Sequence, residues 1–219
     1  MIKAVLFDLD NTLIDFMRMK RLACEAAIDA MRDAGLDINK ENGLKILFSL
    51  YSEYGLEYQR IFQVFLKELI GKVDYAVMAA GIVAYRRVKE GLLEPYPKVR
   101  ATLQKLKKKY KLAIISDAPR IQVWIRLVAM GIQDKFDLVI TFDDTKKKKP
   151  DIKPFLVAAK KLKLNPNEIA MVGDSIKRDL NSARKLGMLT ILAEYGQIKR
   201  EKGKVDYKIK NINQLTKIL

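Results

Sequence analysis

Ile2-Lys3-Ala4-Val5-Leu6-Phe7-Asp8-Leu9-Asp10-Asn11-Thr12 opens the chain with an apolar run that ends in two carboxylates. From Ile2 to Leu9 the run is strand-length and interrupted only by Lys3 and Asp8, as expected of a strand buried on both faces. In a pleat, Asp8 and Asp10 project to the same side, so two carboxylates are expected to converge at the strand's C-terminal mouth. The period then changes. Ala23, Ala26, Ala27, Ala30, Met31 and Ala34 recur at helical spacing and stop at Gly35, a plausible C-terminal cap. Leu44, Leu47, Phe48 and Tyr51 make a second such stripe, Tyr58, Ile61, Phe62, Phe65, Leu66 and Leu69 a third, and Tyr75, Met78, Ala79 and Ile82 a fourth. Residues 16–93 therefore read as four antiparallel helices.

After Glu94-Pro95-Tyr96-Pro97, strand-length apolar runs at Leu112–Ile115, Leu138–Ile140, Ile169–Val172 and Leu189–Leu192 alternate with helical segments near 98–109, 120–130, 152–163 and 177–186. That alternation predicts an α/β fold, a doubly wound parallel sheet of the Rossmann-like kind. Tyr207-Lys208-Ile209 is expected to add an edge strand and Ile212 to Leu219 a closing helix. Strand one belongs to the sheet, but the helical stretch after it is far too long for one crossover. The expected organisation is thus a core of residues 1–15 and 94–219 with an inserted α-helical cap domain at 16–93, placed where such sheets bind ligands.

Bulk composition narrows the chemistry. Among 219 residues there is no His and one Cys, Cys24. The usual Ser-His and Cys-His nucleophile schemes and the usual zinc ligands are therefore absent, and an internal disulfide is excluded. A lone Cys points to a reducing cytoplasm. The apolar stretch Ala76 to Tyr85 is about half of the roughly 20 residues a membrane span needs, and the N-terminal run passes straight into charged residues, unlike a signal peptide. The net charge of +16 raises the question of nucleic acid. Residues 94–219 carry it, with 29 basic against 13 acidic, whereas 16–93 hold 12 against 10. The Lys runs are not interleaved with aromatics as in a strand-binding groove. They read as the Lys-rich solvated surface common in thermostable proteins, and Lys199 to Lys204 as an exposed loop.

The strand ends carry the remaining chemistry. Strand two ends in Ser116-Asp117, Lys149-Pro150 comes after strand three, and Gly173-Asp174-Ser175 ends strand four with Asp179 a turn later. Carboxylates, a hydroxyl and an ammonium at one sheet edge can hold a hard divalent cation through oxygens, and a phosphate through Ser, Lys and backbone N–H groups.

Asp8-Leu9-Asp10-Asn11-Thr12, Ile114-Ile115-Ser116, Lys149-Pro150 and Gly173-Asp174-Ser175-Ile176-Lys177-Arg178-Asp179 resemble, in order, motifs one to four of the haloacid dehalogenase-like (HAD) superfamily. The insertion at 16–93 is similar to that family's cap between motifs one and two. The resemblance implies an Asp8 nucleophile that becomes an aspartyl phosphate, and an Asp10 that protonates the leaving alcohol and then deprotonates water. It implies Mg²⁺ on the Asp8 and Asp174 carboxylates and the Asp10 carbonyl. Ser116, Asp117 and Lys149 would form the phosphate site, with Thr12 and Asp179 in support, Asp179 orienting Lys149 or a metal-bound water. Dehalogenases of the family lack the second carboxylate, so Asp10 favours a phosphatase of a small phosphorylated metabolite. Asp117-Ala118 departs from the frequent Asn-Gly, so the Asp117 side chain must be paired or point away. Lys146 to Lys148 also compete for the role of Lys149, which only Pro150 singles out.

No residue of 16–93 has a readable substrate signature; Arg18 and Lys20, near the insertion point, are candidates to meet a substrate anion. Trp124 reads as core or rim, and Asp15 as a brace of the turn into the insertion. Two alternatives have other tests. A phosphomutase or phosphotransferase would interconvert sugar phosphates without net phosphate release. A basic nucleic-acid-binding module on an inactive phosphatase fold would bind DNA or RNA in a salt-sensitive way.

Overall fold

The computed structural model describes residues 1–219. Six parallel strands form one sheet: β1 (Ala4–Phe7), β2 (Lys111–Ile115), β3 (Leu138–Ile140), β4 (Ile169–Gly173), β5 (Leu189–Ala193) and β6 (Tyr207–Ile209), in the order β3-β2-β1-β4-β5-β6. Leu6 of β1 stands level with Ala113 on one side and Met171 on the other. All four residues of β1 are buried because both faces of the sheet are covered, which is why its sequence runs apolar without alternating. The chain order reverses at β1, between β2 and β4, so the loops leaving these three strands meet at a topological switch point.

Helices α5 (Val99–Leu106), α6 (Arg120–Ala129), α8 (Lys153–Leu162) and α9 (Asn181–Lys185) cross over between strands; α7 (Phe142–Thr145) is one turn, and α10 (Leu215–Ile218) comes after β6. Phe155, Ala158, Ala159 and Leu162 of α8 share one apolar core with Leu6, Ile115, Ile140 and Met171 of the sheet. The helices α1 (Phe16–Asp33), α2 (Lys40–Tyr54), α3 (Ile61–Ile70) and α4 (Tyr75–Gly91) have a core of their own, including Ala27, Met31, Leu47, Phe65 and Leu66. By packing, the chain forms two compact units, Met1–Phe16 with Glu94–Leu219, and Met17–Leu93. At the return, Tyr96 N–H donates to Leu13 O at 2.9 Å and Pro95 bridges Ile14 in antiparallel fashion.

Three expectations are corrected. First, β1 stops at Phe7. Asp8 N–H still bonds Val172 O (2.9 Å), but Asn11 at φ +62° then bends the chain around the Leu9 carbonyl, which accepts from Leu13 N–H (2.9 Å). Asp10 thus lies in a turn, and strand alternation does not govern its direction. Second, the helix expected from 177 begins as a π-helical turn, Ile176–Leu180, before α9. Third, the closing helix shrinks to a 3₁₀ turn at Ile212–Gln214 and the short α10. Trp124, on α6, is 40% exposed and so lies at the surface.

Candidate active site

Asp8, 4% exposed, ends the central strand, and Lys149 reaches it from the loop after α7. Lys149 Nζ contacts Asp8 Oδ1 directly, lies 2.7 Å from Asp179 Oδ1, and donates to Ile115 O at 3.2 Å. This settles which lysine reaches the strand end: Lys146 instead pairs with exposed Asp143 (2.9 Å). The Lys149–Pro150 peptide is cis. Burial alone would lower the Lys149 ammonium, but the Asp179 and Asp8 carboxylates outweigh it and hold it above the ordinary lysine range.

Thr12 Oγ donates to Asp8 Oδ2 at 3.3 Å, and Tyr195 OH, after β5, donates to the Thr12 carbonyl at 2.8 Å. Ser116 is buried at the end of β2, its Oγ accepting from Ala118 N–H at 3.2 Å. Asp117 is paired: Oδ1 accepts Lys149 N–H at 2.9 Å, and Oδ2 lies 4.0 Å from Arg178 Nη1. The acid at the usual Asn position therefore ties the β2 end to the lysine loop.

The π turn after β4 arranges the other carboxylates. Asp179, in this turn, is fully buried, and its Oδ2 accepts from Ser175 N–H at 3.2 Å. A Cβ on Gly173 would lie 2.6–2.8 Å from the Asp179 side chain, so only glycine leaves room. Asp174 accepts from Arg178 Nη2 at 3.5 Å. One oxygen from each of Asp8, Asp174 and Asp179 falls within 4.8 Å of the others. Burial, then the Asp8 and Asp179 charges, push the Asp174 carboxyl up to about 8, and burial also raises Asp179. Fully ionised, the three buried carboxylates would carry one negative charge more than Lys149 and the half-exposed Arg178 offset, an excess that a bound cation would relieve. An all-oxygen set with uncompensated charge fits a hard cation such as Mg²⁺.

Asp10 is not in that trio. Its Oδ2 pairs at 3.0 Å with Arg126 Nη1 of α6, a fully buried side chain that no motif or apolar stripe singles out. Lys20 is also corrected. It is 4% exposed within the helical unit, donating to Leu56 O and Tyr85 OH (2.8 Å each) with its ammonium 3.8 Å from the Tyr51 ring centre. That ammonium is thus held by groups of the helical unit itself. Arg18 is exposed.

A parallel sheet with its switch point at an Asp–Lys–Asp cluster defines a class of hydrolase, and comparison with known proteins agrees. The family model for haloacid dehalogenase-like hydrolases matches residues 2–187, and the chain belongs to that family. It is a phosphatase-type member. A glyceraldehyde 3-phosphate phosphatase of Methanothermobacter thermautotrophicus is 36% identical, with both chains fully covered. Another of that description, from Methanocaldococcus jannaschii, is 35% identical over all of this chain and 97% of its own. Among solved structures, a HAD phosphatase from Thermococcus onnurineus superposes with a TM-score of 0.74 at 29% identity, covering 99% of this chain and 97% of that one. No helix is long and apolar enough to cross a membrane.

Proposed function

We propose that the chain is a Mg²⁺-dependent phosphatase of a small phosphomonoester, with Asp8 as nucleophile, working in the reducing cytoplasm that a lone Cys24 suits. The observation that carries this is the Asp8 carboxylate, buried and held by Lys149 and Thr12 beside Asp174 and Asp179. Asp8 attacks phosphorus as the ester oxygen departs, giving an aspartyl phosphate. Asp10 protonates that leaving oxygen, then takes a proton from the water that frees the phosphate. The Ser116 hydroxyl, the Asp117 backbone N–H and the Lys149 ammonium bind the phosphoryl oxygens, and Lys149 lowers the repulsion between two anions. Asp8, the Asp10 carbonyl and Asp174 would hold Mg²⁺, with Asp179 bracing Lys149. Bound there, the cation supplies positive charge against the transferring group. The two relatives above, 35–36% identical over the whole chain, are described as glyceraldehyde 3-phosphate phosphatases, and that compound is the substrate proposed first.

The test is phosphate release from glyceraldehyde 3-phosphate, phosphoglycolate, pyrophosphate and hexose phosphates, each with Mg²⁺ and with chelator. Glyceraldehyde 3-phosphate is expected to give the highest kcat/KM, chelator to abolish release, and Asp8→Asn to fall to background throughout. Equal rates for wild type and Asp8→Asn would overturn the reading.

A further inference from the structure

The surface loop after β5, Lys199-Arg200-Glu201-Lys202-Gly203-Lys204, contains one acid among four cations. The cations are exposed; Glu201 alone is half-buried. Its Oε1 accepts the Ser175 hydroxyl at 3.0 Å (3.3 Å to Oε2), and Oε2 accepts the Lys177 backbone N–H at 2.8 Å. With its proton directed at Glu201, Ser175 Oγ is left to accept from Arg178 N–H at 3.2 Å. Two residues on, Gly203 lies against the same turn: a Cβ there would be 2.5 Å from Ile176 Cγ2. A loop that was merely solvated would leave its acid among its own lysines. Here it is turned inward onto Ser175 and the turn Ile176–Leu180.

That turn follows Asp174 and carries Asp179, and its π geometry is rare. Lys177 N–H is one of the donors an N-terminal turn leaves without an internal partner, and a carboxylate bond to it is of the stronger, charge-assisted kind. From this we infer that Glu201 is a positioning residue for the Asp174–Asp179 carboxylate pair. It latches the basic loop to the turn and sets the spacing that determines Mg²⁺ affinity. It acts through Ser175 and Lys177 and touches no reacting atom. The inference rests on the Mg²⁺ site proposed for Asp8 and Asp174, and its test separates the two.

Mg²⁺ titrations by calorimetry and by the Mg²⁺-induced rise in Tm are compared for wild type, Glu201→Ala, Glu201→Gln and Lys202→Ala. Glu201→Ala should weaken Mg²⁺ binding about tenfold, the low end of the loss seen when groups that hold a metal ligand in place are removed. Its kcat at saturating Mg²⁺ should stay close to wild type. Glu201→Gln, whose amide oxygen still accepts from Lys177 N–H, should recover most of the affinity, and Lys202→Ala should bind as wild type. Ser175→Ala added to Glu201→Ala should cost less than the sum of the two single losses. A Glu201→Ala protein that binds Mg²⁺ like wild type overturns the latch. So does an equal collapse of affinity and saturated kcat in both Glu201 variants. If Glu201→Ala does not fold, Glu201→Gln and Ser175→Ala carry the comparison, and unchanged affinity in both overturns it. A wild type that binds no Mg²⁺ overturns the metal site and the latch together.

Discussion

Arg126 lies beside Val123 and Leu127 on α6, 1% exposed, with Nη1 3.0 Å from Asp10 Oδ2 and its guanidinium carbon 4.5 Å above the Phe16 ring. Removing one partner of a buried ion pair generally costs about 3–5 kcal/mol for full burial. Asp10 is 23% exposed, so the lower end applies. Arg126→Met should therefore lower Tm, and it should lower kcat about tenfold or more if Asp10 must be held in place to move a proton. Added to Asp10→Asn, it should cost little further kcat, because both act through one group. A kcat for Arg126→Met equal to wild type would separate the pair from catalysis. The role of Arg126 is hidden in the sequence for a definite reason. Ile121, Val123, Trp124, Ile125, Leu127 and Val128 spread over more than half of the helix circumference and leave Arg126 on the polar remainder, so the apolar pattern does not mark the inner face. In the fold, Ile121, Trp124, Ile125 and Val128 are exposed and the cation is inside. By contrast, Asp8, Ser116, Lys149 and Asp174 are legible at or after the ends of apolar runs, because the sheet's burial on both faces marks its strands continuously.

At the scale of elements, the strands are readable to within a residue or two and the loops are not, since a turn is decided by contacts from distant segments. The 3₁₀ turn Glu194–Gly196 after β5 shows this. Tyr195 OH holds the Thr12 carbonyl, and Gly196 packs on the turn after β1 so closely that a Cβ would stand 1.6 Å from Asn11 O. That carbonyl is backbone and cannot swing aside, so the Asp10-Asn11-Thr12 turn would have to move. Gly196→Ala should destabilise by about 1–3 kcal/mol, as overpacking generally does, and should reduce phosphate release out of proportion to the fall in Tm. Gly91 at the end of α4 supplies the contrast. A Cβ there meets nothing within 4 Å and its φ is not positive, so Gly91→Ala should be neutral or stabilise by up to about 1 kcal/mol. Thermal melts of both variants with rate measurements at one temperature decide the matter.

For the molecule as a whole, the four inserted helices have an apolar core of their own, and Cys24 reports on it. It is fully buried among Ala27, Ile28 and Tyr51 in the core of the four helices, and burial pushes its thiol up to about 12 from 9.0. The native thiol is thus both inaccessible and protonated, whereas the reactive species is the thiolate. Alkylation at pH 8 should wait for the helical unit to open, and so be slower than in denaturant by about a thousandfold or more for an ordinarily stable unit. The same shift has a pH consequence. The folded state keeps its proton where the unfolded state loses it, so the unfolded chain binds fewer protons above pH 9 and stability falls as pH rises from 9 towards 12. Tyr51, raised by burial and then by Tyr85, acts in the same direction from about its ordinary value of 10 upward. Helical signal tracked against denaturant from pH 7 to 11 should show that decline beginning near 9. In Cys24→Ala the onset should move to the tyrosine range, while the cavity lowers stability at every pH. An identical pH profile in the two proteins would mean that the Cys24 thiol ionises as readily in the folded unit as in the unfolded chain.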